Sequence, residues 1–280
     1  MEVEVVASDG YRLAATLFRP GASNRRAVQV HAAAGVRQEY YADFASFLAE
    51  RGFTVVTFDY RGVGRSARMH VREIRARMRD WALLDAPAIS RYVEEELSFD
   101  KRIGIGHSFG GQSFAVMPGA ERLAAVLAVA SQSCYWRHWQ GVDRFGMWLL
   151  THGLLPAATH LAGYFPGALL RQGEDLPSGV ALEWASWCRH PRYLVGALGM
   201  DERAAAFTAP LRLIAIADDT LYAPRAAAEA LLVLYPNARK EMKWLRPEEI
   251  GAQRIGHFGF FRGRFRDTLW RDAAEWLARA

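Results

Sequence analysis

Short apolar runs rich in β-branched residues alternate with longer helical patterns through most of this chain, and that rhythm limits the folds open to it. FTVVTFDY at 53–60 is the clearest run, apolar on both faces, as in a strand covered on both sides. EYYADFASFLAERG just before it has apolar residues at helical spacing and stops at Gly52, a C-cap signal. AVQVH (27–31), KRIGIG (101–106), LAAVLAVAS (123–131), LRLIAIA (211–217) and ARKEMKWL (238–245) repeat the strand pattern. MEVEVVA and YRLAATLFRP flank Ser8-Asp9-Gly10 as an opening antiparallel hairpin. Strand, helix and strand in this order call for a mostly parallel sheet with helices on both faces. A helix over 77–97 is expected to turn Trp81, Leu84, Ile89 and Val93 inward, with others from Phe109, over 224–234 and from about Gly263.

The rhythm breaks between 132 and 206. This stretch is rich in Trp, His, Gly and Pro and holds no convincing strand, so it reads as a helical insertion. The expected organisation is a core over 1–131, an insertion over 132–206 and the rest of the core over 207–280. Within the insertion, Phe145–Leu170 carries no Asp, Glu, Lys or Arg and is long enough to cross a bilayer. Pro156, Pro166, several glycines, His152 and His160 interrupt it. The reading is a buried or pocket-lining helical segment, with peripheral membrane contact as the lesser alternative.

Composition adds mainly exclusions. A chain of 280 residues buries a large core, and the net charge of +5 comes almost wholly from arginine, since lysine occurs only at 101, 240 and 243. Such a bias gives no nucleic-acid signature, and the arginine-rich segment 61–80 reads as a solvated face, with phosphate recognition as its minor alternative. Cys134 and Cys188 form no ligand or disulfide pattern, and MEVEVVASDG lacks the basic and apolar parts of a secretion signal. The expectation is a cytoplasmic protein with no metal and no cofactor.

GIGHSFGGQ at 104–112 sits between an expected strand and an expected helix. A serine nucleophile at a strand end stands on a sharp, strained turn where side chains two residues away would collide. Gly106-His107-Ser108-Phe109-Gly110 supplies a glycine on each side. Serine needs a base, and the base an orienting carboxylate, in the chain order Ser, Asp, His for a sheet of this type. LRLIAIA leads into Asp218-Asp219, and the loop after ARKEMKWL holds His257 between Gly256 and Phe258-Gly259. Of eight histidines, only His257 follows the aspartates. Asp219 is preferred over Asp218, whose place directly after the strand suits a turn residue. His107 reads as a packing residue of the turn. The oxyanion of a tetrahedral intermediate needs two backbone donors. These are assigned to Phe109, at the start of its helix, and to Ala33 in His31-Ala32-Ala33-Ala34-Gly35, with Ala32 and Ala34 as close alternatives.

These residues resemble the α/β-hydrolase superfamily over essentially the whole chain. GHSFGG is similar to its nucleophile elbow, FDYRGVGRS (58–66) to its D-x-R-G-x-G-x-S turn, and HAAAG stands in the place of its His-Gly loop. Alanine at 32 departs from the usual glycine. AAGVRQEYY, DYRGVGRS, the Asp pair and GHFGFFR look more narrowly like a group of bacterial predicted serine hydrolases. The resemblance implies an eight-stranded sheet, a Ser108–Asp219–His257 triad and a lid over the site. The insertion's aromatics suggest a hydrophobic ester as the small-molecule substrate. A thioesterase, an acyltransferase and a non-catalytic binder of hydrophobic ligands share the same residues and stay open.

Overall fold

In the computed structural model, residues 1–170 and 173–280 are described, so positions 171 and 172 of the insertion lie outside the described residues. Eight strands form one sheet: β1 (Glu2–Val6), β2 (Arg12–Phe18), β3 (Arg26–His31), β4 (Thr54–Phe58), β5 (Lys101–His107), β6 (Ala125–Val129), β7 (Pro210–Ile216) and β8 (Arg239–Leu245). Their order is β1-β2-β4-β3-β5-β6-β7-β8. Only the β1–β2 and β2–β4 pairings are antiparallel, and all others are parallel. The parallel strands bring the carboxyl ends of β3, β5, β7 and β8 to one edge, where loops can converge on a ligand. β4, β5 and β6 are buried almost throughout because helices cover both faces.

The helices labelled here are α1 (Ala42–Ala49), α2 (Ala86–Glu96) and α3 (Phe109–Ser113) before the insertion. Inside it run α4 (Gly141–Leu149), α5 (Leu155–Ala162), α6 (Ser178–Trp187), α7 (Tyr193–Leu198) and α8 (Asp201–Ala206). The core closes with α9 (Arg225–Val233) and α10 (Arg271–Arg279).

Four expectations change. The helix over 77–97 contains a π-helical turn at Trp81–Asp85. One extra residue per turn rotates the face: Leu84 is only partly buried, whereas Asp85 is fully buried. Asp85 faces Arg61, which is itself buried and pairs with both Asp85 and Asp9 at 2.6 Å. Arg61 therefore belongs to the core and not to a solvated face. The insertion also holds a short strand pair, Tyr164–Phe165 with Leu176–Pro177.

The fourth change concerns the uncharged stretch. Thr151, Leu155, Thr159 and Phe165 are buried, but α4 buries no residue, and Phe145, Leu154, Leu161 and Leu169 are exposed. The stretch is therefore buried along one face, where 155–162 packs on α6, and exposed along the other. Among the described residues no helix is long and apolar enough to cross a membrane.

Candidate active site

Ser108 closes β5 and opens α3 with φ 50° and ψ −114°, a backbone conformation that non-glycine residues rarely adopt. The flanking glycines explain how the turn closes. A Cβ on Gly106 would lie 2.3 Å from the amide nitrogen of Gly111, and one on Gly110 would lie 2.1 Å from the carbonyl oxygen of His31. Both contacts are with backbone, which cannot swing aside. Ser108 is half-buried while its neighbours are buried, so the turn lifts this one side chain toward the edge of the sheet.

His257 begins beyond β8, in a four-residue helix at Gly256–Gly259. Its Nδ1 lies 2.6 Å from Oδ2 of Asp219, and both side chains are buried. A carboxylate there keeps the proton on Nδ1 and leaves Nε2 as the basic nitrogen. Asp218 is used differently. Its oxygens accept the N–H groups of Ile255 and Gly256 at 3.0 Å, holding the entry to the histidine loop, where Gly256 has φ +64°. The two adjacent aspartates thus hold the ring and the backbone of one loop.

Sequence reasoning missed two tyrosines. Tyr222 stacks on the His257 ring with centroids 4.7 Å apart. Tyr41, buried under the site, accepts the Ala33 N–H at 2.9 Å and lies 2.8 Å from Nδ1 of His107. The other His107 nitrogen, Nε2, is 3.0 Å from the carbonyl oxygen of His257, an acceptor only. Hence Nε2 carries the proton, Nδ1 accepts, and the Tyr41 hydroxyl donates to it. His107 stays neutral, because burial pushes its pKa well below the ordinary histidine value. A continuous chain of hydrogen bonds thereby ties the loop after β3, the elbow and the histidine loop together. Tyr41 lies at the end of the AAGVRQEYY stretch. Its contact with His107, like that of Tyr222 with His257, spans a long sequence separation that no local pattern shows.

This chain also corrects the assignment of Ala33 as an oxyanion donor: its N–H is already donated to Tyr41. Ala34, next in the loop and half-buried, has an N–H with no acceptor among the described residues. Phe109 is the first residue of α3, where the helix itself supplies no acceptor for the N–H. Its ring packs against Tyr60 and Trp81 at 5.7 and 5.6 Å. Asp59 supports the adjoining loop by accepting the Gln38 N–H at 2.8 Å and the Arg65 N–H at 3.0 Å. No cluster of His, Cys, Asp and Glu suited to a metal occurs among the described residues.

An eight-stranded sheet with this order and a strained serine at the end of β5 define an α/β-hydrolase fold. The profile of the Alpha/beta hydrolase family matches residues 28–278, and the chain belongs to that family. No curated protein matches it. The fold is shared with solved structures over the whole chain. The Pyrococcus furiosus esterase Pf2001 is 16% identical, with TM-score 0.61 and 89% of its own length covered. The α/β hydrolase GrgF from Penicillium sp. sh18 is 20% identical, with TM-score 0.63 and 98% covered. Est1E from Butyrivibrio proteoclasticus, solved with ferulic acid bound, is 14% identical, with TM-score 0.63 and 98% covered.

Proposed function

We propose that this protein is a serine hydrolase that cleaves an ester of a hydrophobic small molecule through Ser108, His257 and Asp219. The observation that carries the reading is the 2.6 Å contact between Nδ1 of His257 and Asp219, on the same sheet edge as the strained Ser108. His257 Nε2 takes the Ser108 proton as Oγ attacks the ester carbonyl, and Asp219 stabilises the imidazolium. The N–H groups of Phe109 and Ala34 receive the oxyanion. His257 then protonates the leaving alcohol, and water resolves the acyl-enzyme by the same steps.

Residues 132–206 act as a lid. Trp139 donates its indole N–H to the carbonyl of Leu221 at 2.8 Å, beside Tyr222 and so beside His257. A shallow, open depression of about 380 Å³ lined by Trp136, Gly141, Arg144, Phe145 and Trp148 lies on the same insertion, and its apolar lining supports contact with an acyl chain. Two buried free cysteines fit a reducing, cytoplasmic setting. Hydrolysis of p-nitrophenyl esters from acetate to decanoate tests the reading. The expected result is a kcat/KM that rises with chain length and is lost in Ser108→Ala. Preference for acetate would overturn the acyl contact, and saturable binding of decanoate without any turnover would mark a binding protein instead.

A further inference from the structure

At the seam between core and insertion, the segment 72–80 and the first turn of α6 flank an open cleft of about 580 Å³. Four arginines, Arg72, Arg75, Arg77 and Arg79, line it with Asp80 and Ser178. Their convergence follows from the local pattern. Ile74, Ala76 and Met78 are buried, and Arg75 and Arg77 between them are exposed, so an extended segment turns its arginines to one side.

The four guanidiniums are not equally occupied. Arg79 is clamped to Glu183 of α6 at 2.5 Å. Arg72 donates to the Ala162 carbonyl at 2.8 Å and lies over the Tyr164 ring at 5.3 Å. Arg75 and Arg77 pair with no carboxylate among the described residues, and Asp80 accepts the Arg77 backbone N–H at 2.7 Å. Nearby acids are therefore Glu73, which forms no ion pair, Asp80 and Glu183. Two like charges left facing one cleft repel each other, and an anion bound there would offset that repulsion.

The segment that forms the cleft reaches the elbow through one buried side chain. Asp80 precedes Trp81, whose ring packs on Phe109, the residue after Ser108. The backbones of the two walls nearly touch, since a Cβ on Gly179 would lie 2.4 Å from the Ala76 carbonyl oxygen. A group held in the cleft is thus at the junction of lid and core, on the nucleophile's side of the molecule.

We propose that this cleft binds the phosphate groups of the substrate's leaving portion, and that the substrate is an acyl thioester of a phosphorylated thiol carrier of the coenzyme A type. The guanidinium fork matches phosphate oxygens in pairs, which makes arginine the side chain suited to such a group. The proposal rests on the serine-hydrolase reading and narrows its ester to a thioester, so that a thiol takes the place of the leaving alcohol: the Ser108 Oγ–acyl bond forms, the C–S bond breaks, and the thiol leaves with the proton held by His257. Water then splits the acyl-enzyme, so no oxidant or further reactant is needed.

The test compares wild type with the Arg75→Ala/Arg77→Ala double variant, and with Arg203→Ala/Arg271→Ala as a control for net charge. The ratio of kcat/KM for decanoyl-coenzyme A to that for p-nitrophenyl decanoate is expected to fall about tenfold or more in the first variant, through KM. It should not fall in the control. Calorimetric titration with coenzyme A and with inorganic pyrophosphate should show saturable binding to wild type that the first variant loses. An unchanged ratio, or an equal fall in the control, overturns the proposal. So does binding of anionic phospholipid vesicles but of neither soluble probe. If wild type cleaves neither substrate, the hydrolase reading fails, and the titrations alone decide whether the cleft binds phosphate.

Discussion

Asp218 and Asp219 are adjacent in sequence but face different parts of the same loop, and this separates their expected effects. Asp219 meets the His257 ring, whereas Asp218 receives the N–H groups of Ile255 and Gly256. Asp219→Asn should lower kcat on p-nitrophenyl esters by about 10³ to 10⁴, because an amide favours the wrong imidazole tautomer. Asp218→Asn should lower the melting temperature and cost less than about tenfold in kcat, since one side-chain oxygen still accepts. A larger kcat loss in the Asp218 variant would reverse the roles. The strained turn at Ser108 and the pairing of Asp219 with His257 were legible because these residues follow strand ends in a fixed chain order. The choice among Ala32, Ala33 and Ala34 was not, because it turns on a hydroxyl contributed by Tyr41 from the next helical segment. His107 likewise reads as packing until its two nitrogens are seen to join Tyr41 to the His257 carbonyl.

Among the elements, α3 shows how tightly the elbow is built. Its second residue, Gly110, sits where a Cβ would meet the last carbonyl of β3, so the helix start and the loop after β3 share one close approach. Gly110→Ala must shift one backbone against the other. The expected result is a loss of about 100-fold or more in kcat, with a lowered melting temperature, from a displacement near 1 Å. Gly263→Ala, where nothing lies within 4 Å, should change neither quantity. Equal behaviour of the two variants would show that the approach is not needed. Strand positions were readable from short β-branched runs, and the presence of α1 and α9, though not the ends of α1, from ordinary helix periodicity. The π-turn at Trp81–Asp85 was not, because a pattern with 3.6 residues per turn has no place for the residue that brings Asp85 inward.

For the whole molecule, the buried imidazoles shape stability against acid. His31 packs on Phe58 and Phe114 at 5.4 and 4.3 Å, and burial lowers its pKa from 6.5 to about 3. The unfolded chain takes up a proton below about 6.5, and the folded chain does not. The His31 contribution is therefore complete above that pH and is lost progressively as pH falls toward 3. His31→Phe keeps an aromatic ring between the same neighbours and removes the titration. Its stability relative to wild type, measured by urea unfolding, should improve by up to about 1.4 kcal/mol per pH unit below 6.5. A difference independent of pH would contradict the burial argument. A mostly parallel sheet covered by helices was within reach of the sequence because strand and helix patterns alternate along it, whereas the order of the strands was not read from it. The exposure of α4 was not, because an uncharged apolar stretch reads as buried unless its partners are known.

The central claim is that Ser108 is an activated nucleophile, and labelling with a fluorophosphonate probe, located by peptide mass spectrometry, tests it most directly. Wild type should carry one adduct, on Ser108, and both Ser108→Ala and His257→Ala should lose it. A folded wild type that takes no label, or takes it elsewhere, would contradict the account.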